Sequence, residues 1–405
     1  MSTNTRNLIA TLQGGLDDRF SCIRVINRDR QTGERQEGHQ GALSVVFHAY
    51  DKVTRRDVAL KFFDPDFQGF GAMYRMDLFR REAELLGRFQ GKLNFLQLVR
   101  PLSEIPLTAS EHGKTVTVQC AFFVLEWLEG DITEYFLRQD EYDALIKIEV
   151  FRQILLGVFR LHGVGIAHRD VKYDNLRRVD RPHGTVVVPI DYGTAVDVLS
   201  LPLGVEGDYD APVGAPAFSP LEAQMGLAGH RHVVKAADIY ALGCLLHDLF
   251  NVDLFIVRLL RDAGFQSCSS RCKAHMLTVE GGETRRLTEY HRVLSLVKGQ
   301  VTLPSIDSDD TTVPASGRDL LDRLLATLTR VDYRDRESEL DRILRLLDAA
   351  AGNIRHVRMD QRRRTLRQVI RSRRADRQRR KEDRLEHALV RLTGAKEKSG
   401  GSTEH

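Results

Sequence analysis

The chain has 405 residues, 42% hydrophobic and 29% charged, a composition ordinary for a folded globular protein and unlike that of a disordered one. Its five scattered cysteines exclude a disulfide framework and suit a reducing, cytoplasmic location. The net charge of +4 hides an asymmetry: residues 355–391 hold 15 Lys/Arg against 5 Asp/Glu, a net of +10, so the rest of the chain carries −6.

Residues 1–35 read as an N-terminal extension whose only apolar run, Leu8-Ile9-Ala10, is far too short for a signal-peptide core. No stretch approaches the ~20 apolar residues that span a bilayer. LSVVFHAY (43–50) and RDVALKFF (56–63) predict two strands joined by the polar turn Asp51–Arg55. In YRMDLFRREAELLGRFQ (74–90), Leu78, Leu85, Leu86 and Phe89 recur near helical spacing with charges opposite, which predicts a helix. VTVQCAFFVLEWL (116–128), β-branched and aromatic, reads as a buried strand. From about Glu141 helical patterns dominate, and Phe151, Ile154, Leu155, Val158, Phe159 and Leu161 form one apolar stripe. TVVVPI (185–190) closes a pair of short strands, residues 203–216 read as a loop, and KAADIYALGCLLHDLF (235–250) predicts a largely buried helix. A strand-rich first part and a helix-rich second part imply an α+β protein of two lobes with a cleft between them.

The stretch AHRDVKYDNL (167–176) crowds Asp170, Lys172, Asp174 and Asn175 where the apolar stripe ends. Elsewhere Lys61 closes a strand, Glu82 sits mid-helix and Asp191 follows an apolar strand. Each alone reads as solvated surface. Together they do not, because a hairpin of the two short strands brings Asn175 beside Asp191. A carboxylate and an amide oxygen are hard ligands that suit Mg²⁺ carried on phosphates. Asp170, five residues before Asn175, stays available to orient a hydroxyl nucleophile. Cys268, Cys272 and His275 are metal-ligating types at close spacing, but the second half of a tetrahedral set is missing.

In order along the chain, VALK (58–61), HRDVKYDN (168–175), DYG (191–193), SPLE (219–222), Asp238 and Arg336 resemble the ordered motifs of the eukaryotic-type protein kinase family, over roughly residues 38–345. The motif styles are similar to those of bacterial members. The resemblance implies a two-lobed protein-kinase-like fold: a small β-rich N-lobe (36–128), a larger helical C-lobe (129–348) with an insertion at about 251–317, and a basic helical extension (349–405). It implies transfer of the ATP γ-phosphate to a serine or threonine of a protein substrate. By the same resemblance Lys61 contacts the α- and β-phosphates and Glu82 holds it by an ion pair. Asp170 acts on the substrate hydroxyl, Lys172 on the γ-phosphate charge, and Asn175 and Asp191 hold Mg²⁺. Val46 and Ala59 cover adenine, Leu125 is the gatekeeper, backbone groups of Glu126 and Leu128 read the base, and Asp131 bonds the ribose.

Three departures stand out. The phosphate-covering loop keeps only Gly41 in register, with Gly38 adjacent and His39 and Ser44 at the other glycine positions. Ala215 replaces a threonine that bonds the catalytic aspartate in many members, and Leu221 blurs the register of SPLE. The altered loop keeps open a pseudokinase scaffold with weak nucleotide binding. A small-molecule kinase of related fold is a further alternative, opposed by Glu222, Asp238 and Arg336 together; in the family the SPLE-like segment and its arginine build a peptide shelf, and the aspartate anchors the catalytic loop. The insertion reads as surface. The tail (355–391) reads as an interrupted amphipathic helix, either a solvated extension or a binder of nucleic acid, another polyanion, an acidic partner or the chain's own acidic body.

Overall fold

In the computed structural model, which describes residues 3–29, 31, 44–66, 72–111, 114–200, 214–307 and 313–397, the β-branched runs of the first third build one antiparallel sheet. Helix α1 (Thr3–Leu12) leads into β1 (Phe20–Val25), β2 (Ser44–Asp51), β3 (Arg56–Phe63), helix α2 (Ala72–Gly87), β4 (Leu98–Glu111) and β5 (Lys114–Glu126). Their order in the sheet is β1-β2-β3-β5-β4. Strands β2 and β3 pair from Ser44↔Phe63 to Asp51↔Arg56 across the expected turn. Alternation divides their side chains between two cores. Val45, Phe47, Leu60 and Phe62 meet Leu8, Leu12 and Phe20 on one face, while Ala59 and Phe63 meet Phe79, Leu85 and Leu86 on the other.

Residue 36, where the sequence reading begins the small lobe, falls between the first two strands of this sheet. Residues before it are part of the lobe: β1 pairs with β2 through Phe20↔Asp51 and Val25↔Phe47. Helix α1 is capped from a distance, because Asp66 accepts from the backbone N–H of Asn4 (2.9 Å) and Thr5 (2.7 Å).

The second part begins with β6 (Gly130–Asp131), α3 (Glu134–Leu137) and α4 (Ala144–Gly163), followed by the short strands β7 (Ile166–Ala167), β8 (Leu176–Arg181), β9 (Gly184–Pro189) and β10 (Val196–Asp197). Asp143 caps α4 by accepting from Leu145 N–H at 2.8 Å. Of the predicted stripe, Phe151, Ile154, Leu155 and Val158 are fully buried and pack on α5 (Val234–Phe250), itself almost wholly buried, while Phe159 is only partly buried. Among the described residues, α6 (Phe255–Arg261), α7 (Ala263–Met276), α8 (Glu283–Val297), α9 (Ala315–Leu328) and α10 (Leu340–Glu397) follow.

The segment read as a surface insertion is partly core. Cys268 and Cys272 of α7 and Tyr290 and Leu294 of α8 bury against Leu221, Met225 and Leu227. The two thiols lie one helical turn apart inside this cluster, and His275 bonds Glu289 at 2.9 Å. Among the described residues no group of three His, Cys, Asp or Glu could hold a metal ion, and no single helix is long and apolar enough to cross a membrane. The basic tail belongs to one continuous helix rather than an interrupted one. Helix α10 buries Ile343, Leu347, Ala350 and Ile354 in the main core, and from residue 361 to 385 every position is exposed.

Candidate active site

The loop carrying Asp170 is fixed from below by Asp238 of α5. Its carboxylate accepts from the backbone N–H of His168 and of Arg169, both at 2.8 Å, and meets His162 Nε2 at 2.9 Å. The clamp holds Arg169 in the left-handed region at φ 64°, a strained conformation for a long side chain. The Arg169 guanidinium donates to the carbonyls of Thr194 (2.7 Å) and Ala228 (3.3 Å).

Asp170 then receives three donors. Asn175 Nδ2 lies 2.8 Å and the Lys172 ammonium 2.9 Å from Oδ2, while the backbone N–H of Ala215 donates to Oδ1 at 2.7 Å. A main-chain N–H therefore reaches the aspartate at the position where the resemblance leads one to expect a threonine hydroxyl. That approach requires Gly214, at φ +83°, where a Cβ would come within 2.3 Å of the Arg169 carbonyl oxygen.

Lys61, near the end of β3, sets its ammonium 2.7 and 2.8 Å from the two Glu82 oxygens and 2.8 Å from Asp191 Oδ1. Both Lys61 and Glu82 are buried, whereas Glu84 points to solvent. Burial alone would lower the Lys61 pKa, but the Asp191 and Glu82 carboxylates outweigh it and raise it, so the ammonium stays charged. Burial pushes the Glu82 carboxyl up against the pull of Lys61. At Asp191 burial also opposes ionisation, but Lys61 prevails and holds the carboxyl below its usual value. Tyr192 locks the arrangement: its N–H donates to Glu82 at 3.1 Å, and its buried ring lies 5.6 Å from that of Phe89 and 5.4 Å from that of His168.

The β8–β9 hairpin pairs Leu176 with Pro189, and Ile190 N–H donates to the Asn175 carbonyl at 2.8 Å, which sets Asn175 next to Asp191. A cleft of about 550 Å³ opens there between the lobes. Val46, Ala59, Lys61, Leu125, Glu126, Leu128, Asp131, Asn175 and Asp191 all line it. The Glu126 side chain is taken by Arg181 (2.8 and 3.1 Å) and by Gln97 N–H (3.0 Å). Asp131 accepts from Thr133 N–H and hydroxyl, at 2.8 and 2.7 Å. Gly41, with Gly38 and His39, lies outside the described residues.

Asp174, noted in the charged stretch but given no role there, lines the cleft, and so do Glu129 and Arg177, which the sequence reading did not single out. Arg177 Nη1 donates to the carbonyls of Asp174 (2.9 Å) and Leu176 (3.0 Å). Desolvation lowers the Arg177 pKa, opposed by the charges of Asp131 and Asp174. The available signal for Arg177 was its place two residues after Asn175, at the start of β8. Below the cleft, Glu222 and Arg336 form a buried pair at 2.5 and 3.1 Å, which assigns the acidic position of SPLE to Glu222 despite the extra leucine.

Residues 36–328 match the protein kinase domain model. The chain belongs to the protein kinase domain family. Its relatives are distant: it is 27% identical to a serine/threonine-protein kinase of Corynebacterium efficiens over 53% of this chain, and 27% identical to the serine/threonine-protein kinase PknA of Corynebacterium glutamicum over 52%. A serine/threonine-protein kinase of Chlamydia trachomatis, PknD, is 24% identical over 58% of this chain. These matches span only 37%, 41% and 25% of the relatives' own lengths. For this kinase domain the Lys61–Glu82 ion pair is the assembled arrangement that fits an active member.

Proposed function

We propose that this protein is an active serine/threonine protein kinase that transfers the ATP γ-phosphate to a hydroxyl of a protein substrate in the reducing cytoplasm. The observation that carries the reading is the ammonium of Lys61 held at once by Glu82 and Asp191, across the cleft from an Asp170 positioned by three donors. A scaffold that had lost catalysis would have no need to keep both constellations together.

The donor set fits a magnesium nucleotide. Asn175 commits its nitrogen to Asp170, through contacts of 2.8 and 2.9 Å, which leaves its amide oxygen and the Asp191 carboxylate as the hard ligands facing the phosphates. When bound, Mg²⁺ would neutralise charge on the phosphate oxygens. Val46 and Ala59 would cover the base and the backbone of Glu126 and Leu128 would read its edge, because the Glu126 side chain is already engaged. Asp170 would orient the substrate hydroxyl and take its proton as the oxygen attacks the γ-phosphorus and ADP leaves with the bridging oxygen. Lys172, already beside Asp170, would offset the charge gathering on the transferred group.

The test is transfer of radiolabelled phosphate from ATP to the chain itself and to a generic basic protein, with Asp170→Asn and Lys61→Met as controls. Label on serine or threonine that disappears in both variants is the expected result. Wild-type protein that binds ATP but transfers nothing would make it a scaffold, and label appearing only on small-molecule acceptors would refute the protein substrate.

A further inference from the structure

The mechanism leaves one large feature unused, the outer part of α10. Residues 361–385 are all exposed and hold twelve Lys/Arg against three Asp/Glu. On a helix each residue advances by about 100° and 1.5 Å, so these basic residues run along about 33 Å of a straight rod. Their angular distribution is one-sided. All but Arg379 fall within an arc of about 200°, while the opposite arc carries Gln361, Thr365, Gln368, Ser372, Asp376 and Asp383. The rod is anchored at its root, where Ile354 is buried and Arg358 pairs with Asp143 at 2.5 Å. The rest of the chain carries net negative charge, yet the basic stripe does not lie against it.

We propose that this stripe is a docking surface for the phosphate backbone of a double-stranded nucleic acid. Eleven of the twelve cations are arginine, whose planar fork takes phosphate oxygens in pairs. A duplex presents one charge per ~1.7 Å of axis, a continuous anionic wall matched to a straight cationic rod. A bilayer is disfavoured because a membrane-surface helix needs a separate apolar face. Here Leu366, Val369 and Ile370 are scattered on or beside the basic arc, and the segment has no aromatic residue. That same lack removes the stacking on which single-strand binders depend. Recognition is therefore indifferent to sequence.

The experiment uses the full-length protein and a fluorescent 25-base-pair duplex, as DNA and as RNA, in anisotropy titrations from low to high salt. With about five phosphates engaged, log affinity falls with log salt at a slope near −4.5. Neutralising the centre of the stripe with Arg363→Gln, Arg367→Gln, Arg371→Gln and Arg374→Gln weakens binding at least a hundredfold near 0.1 M salt and flattens the slope by about 3.6. The opposite-face control Gln361→Ala, Thr365→Ala, Gln368→Ala, Ser372→Ala leaves affinity within about twofold. Circular dichroism checks that both variants keep their helix content. Salt-independent binding, unchanged affinity in the stripe variant, or an equal loss in the control would overturn the proposal. So would tighter retention on phosphatidylserine vesicles or poly-glutamate than on the duplex.

Discussion

Arg336 offers the sharpest stability test. Its guanidinium bonds both Glu222 oxygens, donates to the carbonyls of Ala236 (2.9 Å) and Arg330 (2.8 Å), and lies 5.0 Å from the centre of the Tyr240 ring. Glu222 is fully buried. Arg336→Leu would strand a carboxylate with no water to replace its partner, and breaking a buried pair from one side costs about 3–5 kcal/mol. Unfolding entropy near 2.1 cal/mol/K per residue gives about 0.7 kcal/mol/K for a packed body of roughly 350 residues, so the midpoint should fall by about 4–7 °C. The double variant Arg336→Leu/Glu222→Leu removes both charges and should recover more than half of that loss. Calorimetry and urea titration of the single and double variants measure both quantities. If Arg336→Leu cost less than ~1 kcal/mol, or if the double variant were no better than the sum of the singles, the pair would not hold the lower lobe to the SPLE segment as argued.

Three further outcomes follow from the site and its surroundings. Arg177→Met should raise the dissociation constant for ATP about tenfold while leaving kcat within about threefold, because Arg177 sits among Asp131 and Asp174 in the cleft and is not one of the three donors to Asp170; isothermal titration and steady-state kinetics separate the two. Protein stripped of phosphate by phosphatase should start at full rate without a lag, since Arg169 is already engaged by the carbonyls of Thr194 and Ala228 and the Ser200 hydroxyl by Asp197 (3.0 Å). A native-state thiol titration near pH 8 should modify Cys22 alone, because the other four cysteines are buried and burial pushes the Cys120 thiol up to about 12; rapid labelling of Cys268 or Cys272 would contradict the core role given to α7.

What could be read from the sequence was what the chain states locally. Lys61, Asp170, Asn175 and Asp191 stand in short motifs, and the period of two in TVVVPI is enough to bring Asn175 beside Asp191. The helical stripe of α4 and the apolar run of α5 are equally local. Interactions that close over long separations were not legible. Helix α1 is capped by Asp66, some sixty residues away, so nothing next to it marks α1 and β1 as packing with the later strands. Strand β4 carries Pro101 and Pro106, which disguise its alternation, yet it pairs with β5 along most of its length. The apolar positions of α7 and α8 look sparse until Leu221 and Met225 are seen to cover them. At the cleft, nothing local to Glu126 announces Arg181, fifty-five residues on, which engages its carboxylate at 2.8 Å.

The most direct measurement of the central claim is phosphoryl transfer and ATP affinity in Asp170→Asn and Asp191→Ala side by side. In the proposed reading Asp170 acts on the substrate hydroxyl, whereas Asp191, 2.8 Å from the Lys61 ammonium, would hold the metal of the nucleotide. Asp170→Asn should bind magnesium ATP nearly as the wild type does and transfer phosphate at well under a hundredth of its rate, a barrier increase above about 2.7 kcal/mol. Asp191→Ala should lose measurable magnesium ATP binding. Transfer by Asp170→Asn at more than a tenth of the wild-type rate would contradict the account.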